Sequence, residues 1–405
     1  MMPTALEGVR ILDLSHHIAG PYCTKLLADY GADVIKVERP PSGDPARRMG
    51  PFFGDTPHLE GSALFLHLNT NKQSVVLDLK STLGREIALR LAAEVDIVVE
   101  NFRPGVMADL GLDYESLRAV NENIILTSIS NFGQTGPYRD LPASEITLSA
   151  MGGPMNVTGN KHAYPLKLGG NVVQYHAGAT AAYATMLALY DVESGGDGGQ
   201  IDISIYETQA GFRDRRTIYL TAHIYTGDIG TRPETGVRPG IGVRPCADGY
   251  VNIHATGATK FASFLRMIGR DDLVGDPRTF NAVMLLQYPD LAEEIEASYL
   301  GWLMGHTKRD AAAIAQQNKL LAAPVNTIAD VLADPAFRAR NAFEVIDHPH
   351  TGSATYTGRP FIMYETPRPP ARRAPLLGEH TVELLCDRLG YSRDDIGRMA
   401  MMGVV

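Results

Sequence analysis

"VRILDLSHHIAGPYCTKLLADYGADVIKVERP" (Val9–Pro40) decides the fold class. Residues 9–15 read as a buried strand, 22–32 as a helix and 33–38 as a second strand. Pro21 suits the first position of a helix, where its missing N–H costs nothing. The alternation continues with strand 74–80, helix 84–94 and strands 96–100 and 123–130. Strands separated by helices of this length form βαβ units and a parallel, doubly wound sheet. The expectation is an α/β protein.

Beyond this repeat, "GPYRDLPAS" (136–144) is a loop bearing Pro and Gly, and an Ala-rich helix is expected over about 176–194. A glycine-rich turn at 194–200 leads into strand 200–207, and the Gly/Pro-rich stretch 226–245 marks a crossing between domains. A smaller α+β unit follows, with a strand at 250–256 and helices at 259–269, 291–305 and 309–318. The C-terminus reads as two short helices turning at Gly390. The expected organisation is a large Rossmann-like domain over 1–225, a small α+β domain over 226–330, and a C-terminal segment, 331–405, that returns to the large domain.

At 405 residues the chain exceeds one compact core. It is 44% apolar and 20% charged, as an ordinary globular protein is. A net charge of −9 argues against a nucleic-acid or anionic-membrane partner. Cys23, Cys246 and Cys386 are far apart and outside any CxxC pair, which suits reduced thiols in a cytoplasm and no structural zinc. The N-terminus shows no signal peptide, and no apolar run reaches membrane length.

Four places carry candidate chemistry. The turn "SHHIAGP" puts His16 and His17 at a strand end before a helix N-terminus, a place that favours anions; an ordinary βα turn is the competing reading. Arg39, Lys72 and Arg103 lie next to strand ends, where they could pair with phosphates or be solvated surface charge. Glu145 opens an apolar helix, as an active-site carboxylate or as a carboxylate satisfied by the helix dipole. Gln174-Tyr175-His176 precedes the small-residue helix, and His176 could be a general base or a satisfied first-turn group. No hydrolase triad or HExxH accompanies them.

Taken in order, "LEGVRILDLSHHIAGPYCTKLLADYGADVIKVERP", "NTNKQSVVLDLK", "VVENFRPGVMADLGLDYESL", "GQTGPYRDLPASE", "GGQIDISIYE" and "RAPLLGEHT" resemble the family III CoA-transferases, the group of formyl-CoA:oxalate and crotonobetainyl-CoA:carnitine CoA-transferases. Alpha-methylacyl-CoA racemases are relatives. The resemblance implies an intertwined dimer of ring-like chains, with CoA between the domains and its adenosine diphosphate end on the N-terminal unit. By matching position it implies CoA contacts at His16, Arg39, Lys72, Asn101, Phe102 and Arg103, an active-site role for Glu145, and acyl-CoA plus a carboxylic acid as ligands, with no metal. Pocket residues for the acid are implied in the loop Gly236–Gly242.

Two positions depart from the family pattern. Where the family has Asp-Arg-Leu-Gly, this chain has Ala108-Asp109-Leu110-Gly111, so an acid replaces a phosphate-pairing arginine. Where the family has the aspartate that attacks the thioester and forms a mixed anhydride, this chain has Gln174, and no Asp occurs between Asp140 and Asp191. An amide offers two donors and an acceptor but is a very poor nucleophile. Four readings follow. The chain is the non-nucleophilic subunit of a hetero-oligomeric CoA-transferase, of the succinyl-CoA:benzylsuccinate kind. Or it is an acyl-CoA isomerase, racemase or lyase using Glu145 or His176, with Gln174 holding the carbonyl. Or Glu145 is a replacement nucleophile. Or the chain only binds acyl-CoA.

Overall fold

The computed structural model describes residues 3–211, 221–227, 229, 232 and 238–405. The chain divides into two compact units: residues 1–159, 163–232 and 341–405 make the first, and 160–162 with 233–340 make the second. The small unit therefore extends to Arg340 instead of ending at 330. The unit's last helices are Ile328–Ala333, which crosses the expected boundary and is tied back by Lys308 to Asp330, and Pro335–Ala339.

Among the described residues the main sheet of the large unit has six strands: β1 (Arg10–Asp13), β2 (Asp33–Glu38), β3 (Gln73–Val76), β4 (Ile97–Glu100), β5 (Ile125–Ser130) and β6 (Gln200–Ser204). All pair in parallel, in the order β3-β2-β1-β4-β5-β6. The inner strands β1, β2, β4 and β5 are buried along nearly their whole length because helices cover both faces, whereas the edge strand β6 alternates, with Gln200 and Asp202 exposed. Leu12, Ile35, Val37 and Val98 face one core, shared with helix Thr82–Ala92 and with Leu384, Leu385 and Met399 of the C-terminal helices Thr381–Asp387 and Arg393–Met401. Ile11, Val34, Ile97 and Val99 face the other.

That second core is closed by α1 (Ala19–Ala28), α2 (Glu145–Met151) and α3 (Val172–Glu193). α1 starts two residues before Pro21, which still sits within the first turn, where no intrahelical partner awaits an N–H. α3 starts four residues earlier than its alanines suggest, so Gln174 is its third residue and not a residue ahead of it. α1 and α3 approach backbone to backbone at Gly178: a methyl group there would lie 2.4 Å from the Ala19 carbonyl oxygen. The strand expected over 200–207 ends at Ser204, and Ile205–Gly211 is helical. A hairpin of β10 (Phe343–His348) and β11 (Gly352–Thr357) precedes the C-terminal helices.

The small unit has an antiparallel sheet of β7 (Ile241–Cys246), β8 (Gly249–His254) and β9 (Leu321–Pro324), with helices Ala258–Met267, Pro289–Met304 and Lys308–Gln317 packed around Phe261, Phe264 and Tyr299.

Candidate functional site

The strand order reverses between β1 and β4, and in an open parallel sheet that is where a crevice forms at the carboxyl ends of the strands. The loops after these strands are clamped together. His16 donates its backbone N–H to the Asn101 side-chain oxygen at 2.7 Å, and the Asn101 amide returns a 2.7 Å bond to the His16 carbonyl. The His16 ring meets Phe102 edge-on at 5.4 Å. Burial, aided by the Lys36 charge, pushes the His16 imidazole down to about 4, so it is neutral at neutral pH. Arg39 after β2 and Arg103 after β4 are exposed, and either could meet a phosphate.

Lys72 is placed differently from these five. Its side chain is fully buried, and its ammonium donates to Asp13 (3.0 Å), the Pro21 carbonyl (2.9 Å) and the Asn69 side chain (2.9 Å). An ammonium has three donors, so none is left for a ligand in this arrangement. Burial pulls Lys72 down to about 8, with Asp13 acting against it. Asp13 also receives Thr24 and Ser15, and Lys36 stands 4.0 Å away. Burial alone would raise the Asp13 carboxyl, but Lys36 and Lys72 hold it far below the usual carboxylate range. Lys36 in turn pairs with Asp44 at 2.9 Å, and Asp44 accepts the His17 N–H at 3.0 Å. These buried charges brace the β1–α1 turn from beneath. His17 takes a left-handed backbone there, with φ of 65°.

At the start of α3 the geometry is specific. Glu145 accepts the Val173 N–H on one carboxylate oxygen at 2.9 Å and the Gln174 N–H on the other at 3.2 Å. These are among the donors a helix leaves unpaired in its first turn, at the positive end of its dipole. Glu145 is itself the first residue of α2, whose start is closed by Ser144 and Thr147. It thus ties two helix N-termini together and orients the residue at 174. Gln174, Tyr175 and His176 are all half-buried. Tyr175 packs edge-on against Tyr22 at 4.8 Å and lies 6.4 Å from His67, whose imidazole burial pushes down to about 4. Of the loop Gly236–Gly242, Gly236 lies outside the described residues, while Gly240 and Gly242 have positive φ at the entry to β7.

A cleft of about 220 Å³ opens at the ends of β4 and β5, lined among others by Glu100, Arg103, Gly105, Ala108, Gln134 and Arg139. Sequence reasoning did not single out Glu100. It ends a strand whose other residues are all apolar and buried, and that was the available signal. Burial pushes its carboxyl up to about 7, against the Ser128 hydroxyl and the Phe102 N–H that favour the charged form; nearby Asp202 adds to the rise.

Residues 6–381 match the model of CoA-transferase family III. The chain is 32% identical over 407 residues to the succinyl-CoA–D-citramalate CoA-transferase of Chloroflexus aurantiacus, covering 100% of this chain and 98% of that protein. It is 33% identical to the succinate–glutarate CoA-transferase of Agrobacterium fabrum, covering 94% and 95%. The crystal structure of a CAIB/BAIF family protein from Brucella suis shares its fold with a TM-score of 0.84 at 30% identity, over 95% of this chain and 100% of that one. With a match over nearly its whole length, and with relatives at 32–33% identity that it covers almost end to end, the chain belongs to CoA-transferase family III, an enzyme family working on acyl-CoA thioesters.

Proposed function

We propose that this chain binds an acyl-CoA thioester and serves as the non-nucleophilic subunit of a hetero-oligomeric CoA-transferase, a related chain supplying the aspartate. The observation that carries this is the α3 start. The residue there is an amide, and Glu145, the carboxylate bound to that turn, has both oxygens engaged by its backbone N–H groups. Gln174 can hold a thioester carbonyl by hydrogen bonding but cannot form the anhydride. His16, Asn101, Phe102, Arg39 and Arg103 form the coenzyme contacts. Lys72 supports the β1–α1 turn from within instead of touching the ligand. Two relatives are named for succinate or its thioester, which supports a dicarboxylic acid as acceptor.

Tyr183, Leu187 and Tyr190 recur at helical spacing on the outer side of α3, at 64%, 53% and 72% exposure. A large apolar stripe of this kind supports a second chain, identical or related, in the assembly. The three unpaired cysteines support a cytoplasmic location.

The test is purification with and without a related subunit encoded alongside it, followed by CoA exchange between succinyl-CoA and dicarboxylic acids. The chain alone should be inactive and the pair active; a fully active homo-oligomer refutes the proposal. Exchange of α-hydrogens in deuterated water without an acceptor acid would support the isomerase or racemase reading in its place.

A further inference from the structure

The cleft beside β4 and β5 holds one cation that the coenzyme contacts above do not use. Arg139 leaves the "GPYRD" loop, and its guanidinium lies over the turn at Gly105: a methyl group there would be 3.5 Å from Nη2. Gly105 has φ of 94° and starts the short helix Val106–Asp109, so Arg139 stands over the helix that ends in Asp109. Its Nε is buried and has no hydrogen-bond partner among the described residues. Its ion pair is a 3.7 Å contact with neighbouring Asp140, which is 80% exposed. Such a pair holds a guanidinium weakly and leaves its fork free for a better anion.

We infer that Arg139 supplies, from a different loop, the phosphate-pairing cation that position 109 lacks, and that it grips a phosphate at the adenosine end of bound CoA together with Arg103. The inference rests on the coenzyme reading of the preceding section. The acids lining the cleft do not cancel the two arginines. Asp113 is engaged by the Ser116 N–H at the start of a helix, and the Glu100 carboxyl is pushed up to about 7 by burial. A bidentate guanidinium suits a phosphate better than a lone ammonium does.

The test measures binding of CoA, 3′-dephospho-CoA and pantetheine by titration calorimetry to the purified protein, to Arg139→Gln and to Arg139→Gln combined with Asp109→Arg. Arg139→Gln should weaken CoA about tenfold, the loss expected for one charge-assisted phosphate contact, and leave pantetheine unchanged. If the ribose phosphate is the partner, the variant loses the preference for CoA over dephospho-CoA. If the diphosphate is the partner, both nucleotides weaken alike. Adding Asp109→Arg should restore binding. Unchanged CoA affinity in Arg139→Gln, equal weakening of pantetheine, or no recovery in the double variant overturns the inference. Absence of CoA binding by the unaltered protein instead overturns the coenzyme reading and this inference with it.

Discussion

Replacing Glu100 by Gln should stabilise the protein at alkaline pH and have little effect at acidic pH. The Glu100 side chain is 3% exposed, and burial raises its carboxyl from 4.5 to about 7. Below about 4.5 the group is protonated in the folded and the unfolded chain alike and contributes no pH dependence. As pH rises, the unfolded chain loses this proton first, so the native state loses relative stability until about 7 and then levels off. The shift corresponds to about 3 kcal/mol. Glutamine keeps the oxygen that accepts the Phe102 N–H and removes the ionisation. His16 and His67, both pushed down to about 4, give the opposite trend, but they are common to both proteins and cancel in the difference. The assay is urea unfolding of both proteins between about pH 4.5 and 8.5, followed as the difference in unfolding free energy. The variant should gain on wild type by about 2–3 kcal/mol across that range. A difference flat to within about 0.5 kcal/mol, the scatter of a neutral substitution, would show that Glu100 is not held neutral by its surroundings.

Other outcomes follow from the same geometry. Gln174→Asp should give the chain a carboxylate in the first turn of α3, and succinyl-CoA should then leave a hydroxylamine-sensitive adduct seen by intact mass; no adduct on residue 174 would detach this position from the family's covalent step. Gly178→Ala should cost about 1–3 kcal/mol in thermal or urea unfolding, because the new methyl meets the Ala19 carbonyl at 2.4 Å. Lys72→Met should cost about 3 kcal/mol by leaving Asp13 with Lys36 alone at 4.0 Å, and a loss of CoA affinity without loss of stability would return Lys72 to the ligand. Glu145→Ala should lower stability by about 1 kcal/mol as the α3 start loses its acceptor, an effect Glu145→Gln should partly spare.

The sheet was legible because short strands rich in Val, Ile and Leu alternate with helices of regular length, the pattern of βαβ units. Helix positions in the small unit were legible for the same reason: their apolar residues recur at helical spacing. The start of α3 was not, since Val172 and Val173 are β-branched and weak helix formers, and it is the Glu145 carboxylate, 28 residues earlier than Val173, that makes a helix start there favourable. Lys72 beside a strand end reads as a phosphate partner or as solvated surface charge, and the structure makes it a buried brace. Its partner Asp13 is 59 residues away, and no local pattern announces a pairing that distant. Arg139 in a polar loop was equally silent, as its meaning comes from the turn it folds onto.

The C-terminal helices Thr381–Asp387 and Arg393–Met401 complete a core begun by β1 and β2, and the Asp78 N–H bonds to the carbonyl of Val404, the penultimate residue. Helix Thr82–Ala92 covers part of this face early, but the part that Leu384, Leu385 and Met399 cover stays open while the ribosome makes every residue of the small unit, and closes only after helix Arg393–Met401 has been made. Deleting as few as the last dozen residues should turn a folding protein into an aggregating one, although they lie far in sequence from every residue assigned here to the coenzyme.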